Sequence, residues 1–371
     1  MIPQHGQLEI SRSRLRNNLT LLRERVGAPT ALCATIKADA YGHGVAEVAG
    51  LLREAGVEWI AVYTLDEAAE LGAANRVLML APMVLGDASD APPQIPGNVR
   101  VNLTDADSAR ALSAAAVERG WAPVKVHVQM DVGLTRAGID AGQAGDLADL
   151  IATLPGLELE GLFGHFSHGD VAGHQATIEE LASFREHAAP MKARHPGMLL
   201  HLQNSGGAWH VGGAGLDMVR IGIAIYGLQP SMAEPIAGLE PIARVTAPIL
   251  AIHERAAGTG VGYGHVFRTR RASRIAVVPV GYADGYPRGM TNLGAVVQLG
   301  AATVPLVGRV SMDQITLDVT DVPAKVGDRV TVISADPAAA NCVDRLAVAV
   351  GTIGYELATH FGSRLSRIIV P

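Results

Sequence analysis

The sequence predicts a parallel (β/α)8 TIM-type barrel followed by a second, mainly β domain. Eight short apolar runs, typical of buried parallel strands, alternate with helical patterns along the first part of the chain. From about residue 240 the runs are shorter and are separated by Gly, Pro and Asp, as in a β domain. The structural alternative is an open doubly wound sheet, which usually carries GxGxxG after its first strand. That motif is absent here.

The first predicted elements are a short strand at 7–10 and an amphipathic helix. Ser11 is a suitable N-cap for this helix, because its hydroxyl can accept from a free backbone N–H. Four apolar residues then recur at helical spacing: Leu15, Leu19, Leu22 and Val26.

The barrel strands follow from the apolar runs. We predict them near 31–37, 58–63, 77–81, 99–103, 124–129, 157–163, 198–203 and 217–221. The clearest helix start is the capping box Thr64-Leu65-Asp66-Glu67, in which a hydroxyl and a carboxylate accept from free helix N–H groups. The third crossover, 82–98, is rich in Pro, Asp and Gly, which disfavours a helix.

The second domain is predicted from six β-type runs and one helix near 342–350. The runs are 249–252, 275–280, 295–299, 304–307, 314–319 and 330–333. We therefore divide the chain into a barrel, 11–235, and a mainly β domain, 236–371, which also takes an N-terminal strand, 1–10.

Composition excludes several functional classes. The net charge of -6 and pI near 6.1 disfavour nucleic-acid and acidic-membrane binding. Two cysteines, Cys33 and Cys342, cannot form a disulfide framework and lack metal-ligand spacing. The start MIPQHGQLEI lacks the pattern of a signal peptide, and no apolar run approaches the length of a membrane span. We expect a cytoplasmic protein without a metal site.

Polar residues follow five of the predicted strands. They are Lys37 after the first, Arg136 after the fifth, His165 after the sixth, Ser205 after the seventh and Arg220 after the eighth. Catalytic residues of parallel barrels cluster at the carboxyl ends of the strands. We therefore expect one polar pocket at this end of the barrel.

The residue types in this pocket predict its chemistry. Lys37 ends an apolar run, where a lysine loses solvation, and a pocket lysine can form a Schiff base with an aldehyde cofactor. Ser205 and the backbone amides after Arg220 can bind a phosphate. Together these features predict pyridoxal 5'-phosphate. Arg136 can bind a carboxylate through paired hydrogen bonds.

These residues lie in segments that resemble the bacterial alanine racemase family. The cofactor-lysine motif of that family is similar to Lys37–Gly44 (KADAYGHG). Further segments match in the same order: Asn204-Ser205, Asp217–Gly227 (DMVRIGIAIYG), Gly262–Gly264 (GYG), Gly281–Arg288 (GYADGYPR) and Gly308–Gln314 (GRVSMDQ). Ordered matches from about 37 to 355 cover most of the chain.

The resemblance implies a role for each matching residue. Lys37 would hold the cofactor and act as one acid–base group, and Tyr263 would be the other, on the opposite face. Further cofactor contacts would come from Tyr41, His165, Ser205, Arg220, Gly222, Ile223 and Tyr355. Arg136 and Met312 would contact the substrate carboxylate, and Tyr282, Asp170, Arg288 and Arg309 would line the access channel.

The resemblance also implies how the two bases work. A relay of Arg220, His165 and Tyr263 would favour the tyrosinate, because the charge of Arg220 is permanent. Arg220 would face the pyridine nitrogen and cannot accept its proton. The ring is then a weaker electron sink, which suits racemisation and suppresses transamination. In the family, Tyr263 and Met312 come from the neighbouring subunit, so a homodimer with composite sites is implied.

The segment before Arg136 departs from the family pattern. Gln129 stands where many members carry a carbamylated lysine that holds the substrate arginine, and Gln129 cannot form a carbamate. A bound anion or neutral hydrogen bonds must then orient Arg136. Val132 and Leu134 replace the commoner Thr and Met, Ser167–Asp170 replaces the usual Thr-Ala-Asp, and Ser311 replaces a frequent Cys.

Several other polar residues are better explained by local structure. Asp39 and His43 would place the turn after Lys37, Asp284 and Asp313 would make local hydrogen bonds, and His127 and His201 would be satisfied core histidines. The main hypothesis is an alanine racemase that supplies D-alanine for peptidoglycan. The alternatives are a racemase of broader specificity (serine, lysine, arginine), a decarboxylase of the same barrel type, and a non-catalytic pyridoxal-phosphate carrier.

Overall fold

The computed structural model of the protein describes residues 5–371. The strands in this part of the chain are β1 Gln7–Ser11, β2 Ala31–Thr35, β3 Trp59–Val62, β4 Arg76–Pro82, β5 Val99–Leu103, β6 Val124–Asp131, β7 Ile139–Asp140, β8 Leu157–Phe163, β9 Leu199–His201, β10 Met218–Ile221, β11 Ala243–Pro248, β12 Ala251–Arg255, β13 Gly260–Val261, β14 Phe267–Arg268, β15 Ser273–Val278, β16 Val296–Leu299, β17 Ala302–Pro305, β18 Ile315–Asp318, β19 Arg329–Ile333 and β20 Ser366–Val370. The helices and helical turns are α1 Arg12–Val26, α2 Lys37–Tyr41, α3 Val45–Glu54, α4 Leu65–Glu70, α5 Ala106–Glu118, α6 Ala141–Thr153, α7 Gln175–Arg194, α8 Ser205–Val211, α9 Val343–Ala349 and α10 Gly354–Thr359.

Eight parallel strands close into a barrel, which confirms the predicted fold class. Their order is β5-β4-β3-β2-β10-β9-β8-β6, and β5 also pairs with β6, so the sheet closes on itself. The short strand β7 pairs with β6 outside this ring. The open doubly wound alternative is therefore wrong.

The predicted local signals act as expected. The Ser11 hydroxyl accepts from the backbone N–H of Arg14, and α1 buries Leu15, Leu19 and Leu22. Thr64 and Glu67 form the capping box of α4. The third crossover contains a single turn of 3₁₀ helix at Ala88–Asp90.

The second domain is mainly β and is built around a six-stranded sheet. The strand order is β17-β16-β19-β11-β1-β20, and smaller sheets are formed by β12-β15-β18 and β13-β14. The predicted run 249–252 is wrong in its bounds, because a strand ends at Pro248 and another begins at Ala251. Four strands and one helix of this domain were not predicted from the sequence: β11, β13, β14, β20 and α10.

β1 belongs to the sheet of the second domain, although it precedes the barrel in the chain. It lies between β11, to which it is antiparallel, and β20, to which it is parallel. Residues 1–4 of the predicted strand 1–10 lie outside the described residues. The predicted domain division at 235/236 falls between β10 and β11 and stays a prediction. None of the helices within residues 5–371 is long and apolar enough to cross a membrane.

Candidate active site

The α2 turn places Lys37 at the carboxyl end of β2. Four consecutive residues of this turn, Ala38 to Tyr41, have φ between 52° and 54°, so the backbone forms a left-handed helical turn. L-residues in this conformation cost about 1–2 kcal/mol each, so the surroundings must hold the turn in place. The Ala38 N–H donates to Glu67 Oε1 at 2.7 Å, and Asp39 Oδ1 accepts from the Val45 N–H at 2.7 Å. Asp39 therefore has the structural contact expected of it.

Lys37 lies in a surrounding that favours its neutral amine. Burial lowers the pKa of Lys37, the positive charge of Arg136 lowers it further, and Glu67 opposes these effects. The Lys37 Nζ lies 5.6 Å from the centroid of the Tyr63 ring. A neutral amine is nucleophilic and can also accept a proton, so this lysine is suited to both tasks.

Arg220 is buried at the end of β10 and forms the base of the pocket. Its Nη1 donates to His201 Nδ1 at 2.7 Å, and its Nη2 donates to the Gly164 carbonyl at 2.6 Å and to His165 Nδ1 at 3.1 Å. Within residues 5–371 the structure records no hydrogen bond from Arg220 Nε, so this donor is available to a ligand. Burial lowers the pKa of Arg220 to about 10, which leaves the guanidinium charged at neutral pH.

His165 has a fixed proton position. Because Arg220 can only donate, His165 Nδ1 must be the acceptor, and the proton of the neutral ring lies on Nε2. Burial lowers the pKa of His165 well below its ordinary value, and the charges of Arg220, Arg136 and Lys37 lower it further. Arg220 and His165 are thus in direct contact, and the charges of Lys37 and Arg136 lie near enough to act on His165.

A group of small polar donors lies next to this cluster. Ser205 Oγ accepts from the Gly222 N–H at 3.0 Å, and an added Cβ at Gly222 would lie 2.5 Å from the Tyr41 hydroxyl oxygen. The Tyr41 ring lies 6.2 Å from the Tyr355 ring, and Ile223 is buried directly after Gly222. Burial raises the pKa of Tyr41 to about 12, so its hydroxyl stays a donor. Hydroxyls and amides around a glycine backbone form a concave site that fits a phosphate group.

Gln129 does not hold Arg136. Its Oε1 accepts from Asn102 Nδ2 at 2.8 Å, and its Nε2 donates to the Ala137 carbonyl at 3.2 Å. Arg136 is exposed, and no hydrogen bond or ion pair of its guanidinium is recorded among the described residues. Gln129 therefore fixes the backbone next to Arg136 and leaves the guanidinium available.

The second predicted acid–base group lies on the other domain. Tyr263 is 72% exposed and Met312 is 52% exposed. Gly264 lies against the Arg309 side chain, and the Tyr282 and Ala283 N–H groups donate to the carbonyls of Ser311 and Met312, each at 3.0 Å. Tyr263, Tyr282, Arg309 and Met312 thus share one exposed face of the β domain. No hydrogen bond or ring contact within residues 5–371 links Tyr263 to the barrel pocket.

The remaining predicted channel residues are divided between the domains. An added Cβ at Gly206 would lie 2.5 Å from Asp170 Cα, so Asp170 is beside the start of α8. Arg288 and Tyr282 line a cavity of about 430 Å³ together with Thr352 and Glu356 from the α9–α10 region.

Sequence reasoning missed two residues near Lys37. Glu67 binds the N–H groups of Ala38, Tyr63 and Thr64, so it holds both the Lys37 turn and the end of β3. The capping box that identified Glu67 as a helix signal was the only trace of this role. Tyr63 gave no signal, because its position over Lys37 depends on how neighbouring strands pair.

Comparisons with known proteins agree with this geometry. The sequence models described as the alanine racemase N-terminal and C-terminal domains match residues 10–230 and 242–369. The alanine racemase of Desulfovibrio desulfuricans is 36% identical over 370 residues, covering 98% of this chain and 97% of that protein.

Solved structures give the same result. The alanine racemase of Bacillus anthracis with bound L-Ala-P is similar at a TM-score of 0.87 and 29% identity, covering 99% of this chain and 95% of that one. The alanine racemase of Bartonella henselae with covalently bound pyridoxal phosphate is similar at a TM-score of 0.83 and 28% identity, covering 99% of this chain and all of that one.

Proposed function

Because the chain belongs to the alanine racemase family, we propose that it interconverts L-alanine and D-alanine with pyridoxal 5'-phosphate as its cofactor. The observation that carries the proposal is the contact of Arg220 with His165 at the carboxyl end of the barrel, where Lys37 and Arg136 follow strands of the same barrel. A supply of D-alanine for peptidoglycan and a cytoplasmic location are parts of the same proposal and rest on family membership.

The residues of the pocket fit this cofactor. Tyr41, Ser205, Tyr355 and the backbone of Gly222 and Ile223 would hold the phosphate, and Lys37 would hold the aldehyde carbon. When bound, the cofactor condenses with an amine and withdraws electrons from the α-carbon, which makes the α-proton acidic. Arg220 would donate to the ring nitrogen and, as a guanidinium that only donates, would keep that nitrogen unprotonated.

Two groups on opposite faces would move the α-proton. Lys37 would serve one face, because its lowered pKa favours the neutral amine, which can accept a proton and return it. The Tyr263 hydroxyl would serve the other. The His165 Nε2–H, which points away from Arg220, is the donor that could stabilise a tyrosinate.

Substrate recognition would rest on Arg136 and Met312. The available guanidinium of Arg136 would bind the substrate carboxylate through paired hydrogen bonds. Tyr282, Asp170, Arg288 and Arg309 would line the access channel. Since Gln129 does not restrain Arg136, a racemase of broader specificity is the second candidate function.

We also propose that the active site is composite. Tyr263 and Met312 are exposed on the β domain of one protomer, which suits a homodimer in which this face covers the barrel of the other. Each site would then take Lys37 from one chain and Tyr263 from the second.

The test is an exchange experiment in deuterated water. The native protein with pyridoxal phosphate and L-alanine should lose the α-proton signal and form D-alanine, and Lys37→Ala should do neither. Proton exchange without inversion would contradict the role of Tyr263 as second base. If the native protein leaves alanine unchanged, turnover of serine, lysine or arginine would favour the second candidate, and no turnover of any would contradict both.

A further inference from the structure

A buried polar column crosses the barrel beneath the pocket. Arg220 Nη1 contacts His201 Nδ1 at 2.7 Å, His201 Nε2 contacts His127 Nδ1 at 2.8 Å, and His127 Nε2 contacts Glu160 Oε2 at 3.1 Å. Both histidines are fully buried and Arg220 is 3% exposed. The column Arg220–His201–His127–Glu160 therefore links the pocket to the opposite end of the barrel.

The backbone makes room for this column. Gly161 pairs with His127 in the register of β6 and β8, and an added Cβ there would collide with the His127 ring. At the far end Glu160 is held by Arg100, with contacts of 2.7 and 3.0 Å, and by Lys125 at 2.9 Å. The carboxylate thus has a fixed position.

The two ends of the column determine every proton in it. Arg220 can only donate and the Glu160 carboxylate can only accept. With neutral rings, His201 must therefore carry its proton on Nε2 and donate to His127, which must carry its proton on Nε2 and donate to Glu160. Burial lowers the pKa of both histidines, which keeps the rings neutral. If His127 were protonated on both nitrogens, its Nδ1–H would point at the Nε2–H of His201.

We propose that His201, His127 and Glu160 are positioning residues that present a lone pair to Arg220 and so fix the guanidinium that faces the cofactor ring. This inference rests on the proposed function for its consequence in catalysis. Without an acceptor at position 160, the His127 Nε2–H loses its partner, and Arg220 alone then opposes the other tautomer of His127 and His201. In that tautomer the His201 Nδ1–H would point at Arg220 and displace it.

A matched pair of variants separates positioning from packing. Glu160→Gln and Glu160→Met both remove the carboxylate and its ion pairs with Arg100 and Lys125, and the two new side chains are similar in length. Only the amide of Glu160→Gln keeps an oxygen that accepts from His127, so the conservative variant should rescue the column.

The first measurement is nitrogen NMR of the full chain with ¹⁵N-labelled histidine and no added cofactor. The native protein and Glu160→Gln should show His127 and His201 as neutral rings protonated on Nε2, and Glu160→Met should show a second tautomer. A native ring protonated on Nδ1, or a native pattern in Glu160→Met, would overturn the proposal. The tautomers of the native protein can be measured without any variant. The proposal can therefore still be overturned if a variant does not fold.

The second measurement uses the cofactor-loaded protein. We expect kcat to fall about tenfold in Glu160→Met and less than about threefold in Glu160→Gln, with KM for alanine nearly unchanged, because the column does not reach the substrate. Equal losses in both variants would make Glu160 a structural residue and overturn the proposal. If the native protein does not racemise alanine, the proposed function fails, while the NMR result still decides the column.

Discussion

At the scale of single residues, burial keeps several histidines of this protein neutral. Burial lowers the pKa of His43 to about 4, although its Nδ1 bonds the carbonyls of Ala40 and Tyr41. The pKa values of His127, His165 and His201 are lowered as well, again mainly by burial. Unfolding exposes these rings and lets them bind protons, so acid favours the unfolded chain.

His43 allows this effect to be measured. Its unfolded value of 6.5 exceeds its folded value, so its contribution is complete above pH 6.5 and is lost as pH falls toward 4. Between pH 7.5 and 5 this loss amounts to about 2 kcal/mol. We expect acidification from pH 7.5 to 5 to lower the free energy of unfolding of His43→Asn by about 2 kcal/mol less than that of the native protein. Urea unfolding of the cofactor-free protein at the two pH values measures this difference.

Asp344 provides a control of opposite sign. Burial raises its pKa to about 6, so the folded protein binds the extra proton and this group favours folding as pH falls from 7.5 to 5. In Asp344→Asn the free energy of unfolding should thus fall by about 1 kcal/mol more than in the native protein between pH 7.5 and 5. An unchanged pH dependence in His43→Asn would contradict the assignment of His43 as a buried neutral ring.

The sequence revealed the pocket residues more readily than the column. Lys37 and Ser205 each follow a strand and Arg220 lies near the end of one, so strand order alone brings them together. His127 and His201 were correctly predicted as satisfied core residues, but their partners were not predictable. His127 and His201 lie 74 positions apart, and His201 and Arg220 lie 19 apart, so their contacts depend on the register of closed strands.

At the scale of elements, the α2 turn and α10 support each other. Gly42 ends the turn with φ 78°, and an added Cβ would collide with the Ala358 carbonyl of α10. α10 carries Tyr355, one of the proposed phosphate contacts. The position of Tyr355 therefore depends on the close approach at Gly42.

In Gly42→Ala the added methyl group should push the α2 turn away from α10. We expect a loss of about 1–3 kcal/mol from overpacking, beyond the cost of a positive φ, and a cofactor affinity reduced about tenfold as Tyr355 moves. Thermal unfolding and absorbance titration with pyridoxal phosphate measure the two effects.

Gly56→Ala is the matched control. Gly56 has φ 69° and nothing lies within 4 Å of an added Cβ. Gly56→Ala should therefore be destabilised only by the strain of an alanine at positive φ. If both variants bound the cofactor equally well, the contact between α2 and α10 would have no role in the site.

Elements with strong local signals were predictable and those held by tertiary contacts were not. α1 has a cap and periodic apolar residues and α4 has a capping box, and the structure places the start of each where predicted. α10 spans six residues and begins with Gly354, so it lacks a cap and a full period. β11 ends in Pro248 with four successive buried residues, so it shows no alternation.

At the scale of the whole molecule, the proposed composite site predicts complementation between two inactive variants. In a dimer of Lys37→Ala with Tyr263→Phe, one of the two sites has both intact groups. The purified mixed dimer should therefore have about half of the native activity, because one of its two sites is complete.

The experiment uses the two variants with different affinity tags, co-expressed and purified through both tags. Mixed dimers without activity would show that Lys37 and Tyr263 act within one chain. Two tags that never co-purify would contradict the dimer itself. Each variant expressed alone with both tags provides the background.

The position of β1 has a consequence for biosynthesis. The Ser11 hydroxyl donates to the Pro371 carbonyl at 2.9 Å, across 360 positions of the chain. At about 5–20 residues per second, the ribosome needs roughly 20 to 70 s to cover that distance. The barrel strands end at Ile221, so the barrel can close on the ribosome while β1 still lacks both of its partners, β11 and β20. One edge of β1 therefore stays unpaired, and open to pairing with another chain, until β20 emerges and completes the sheet.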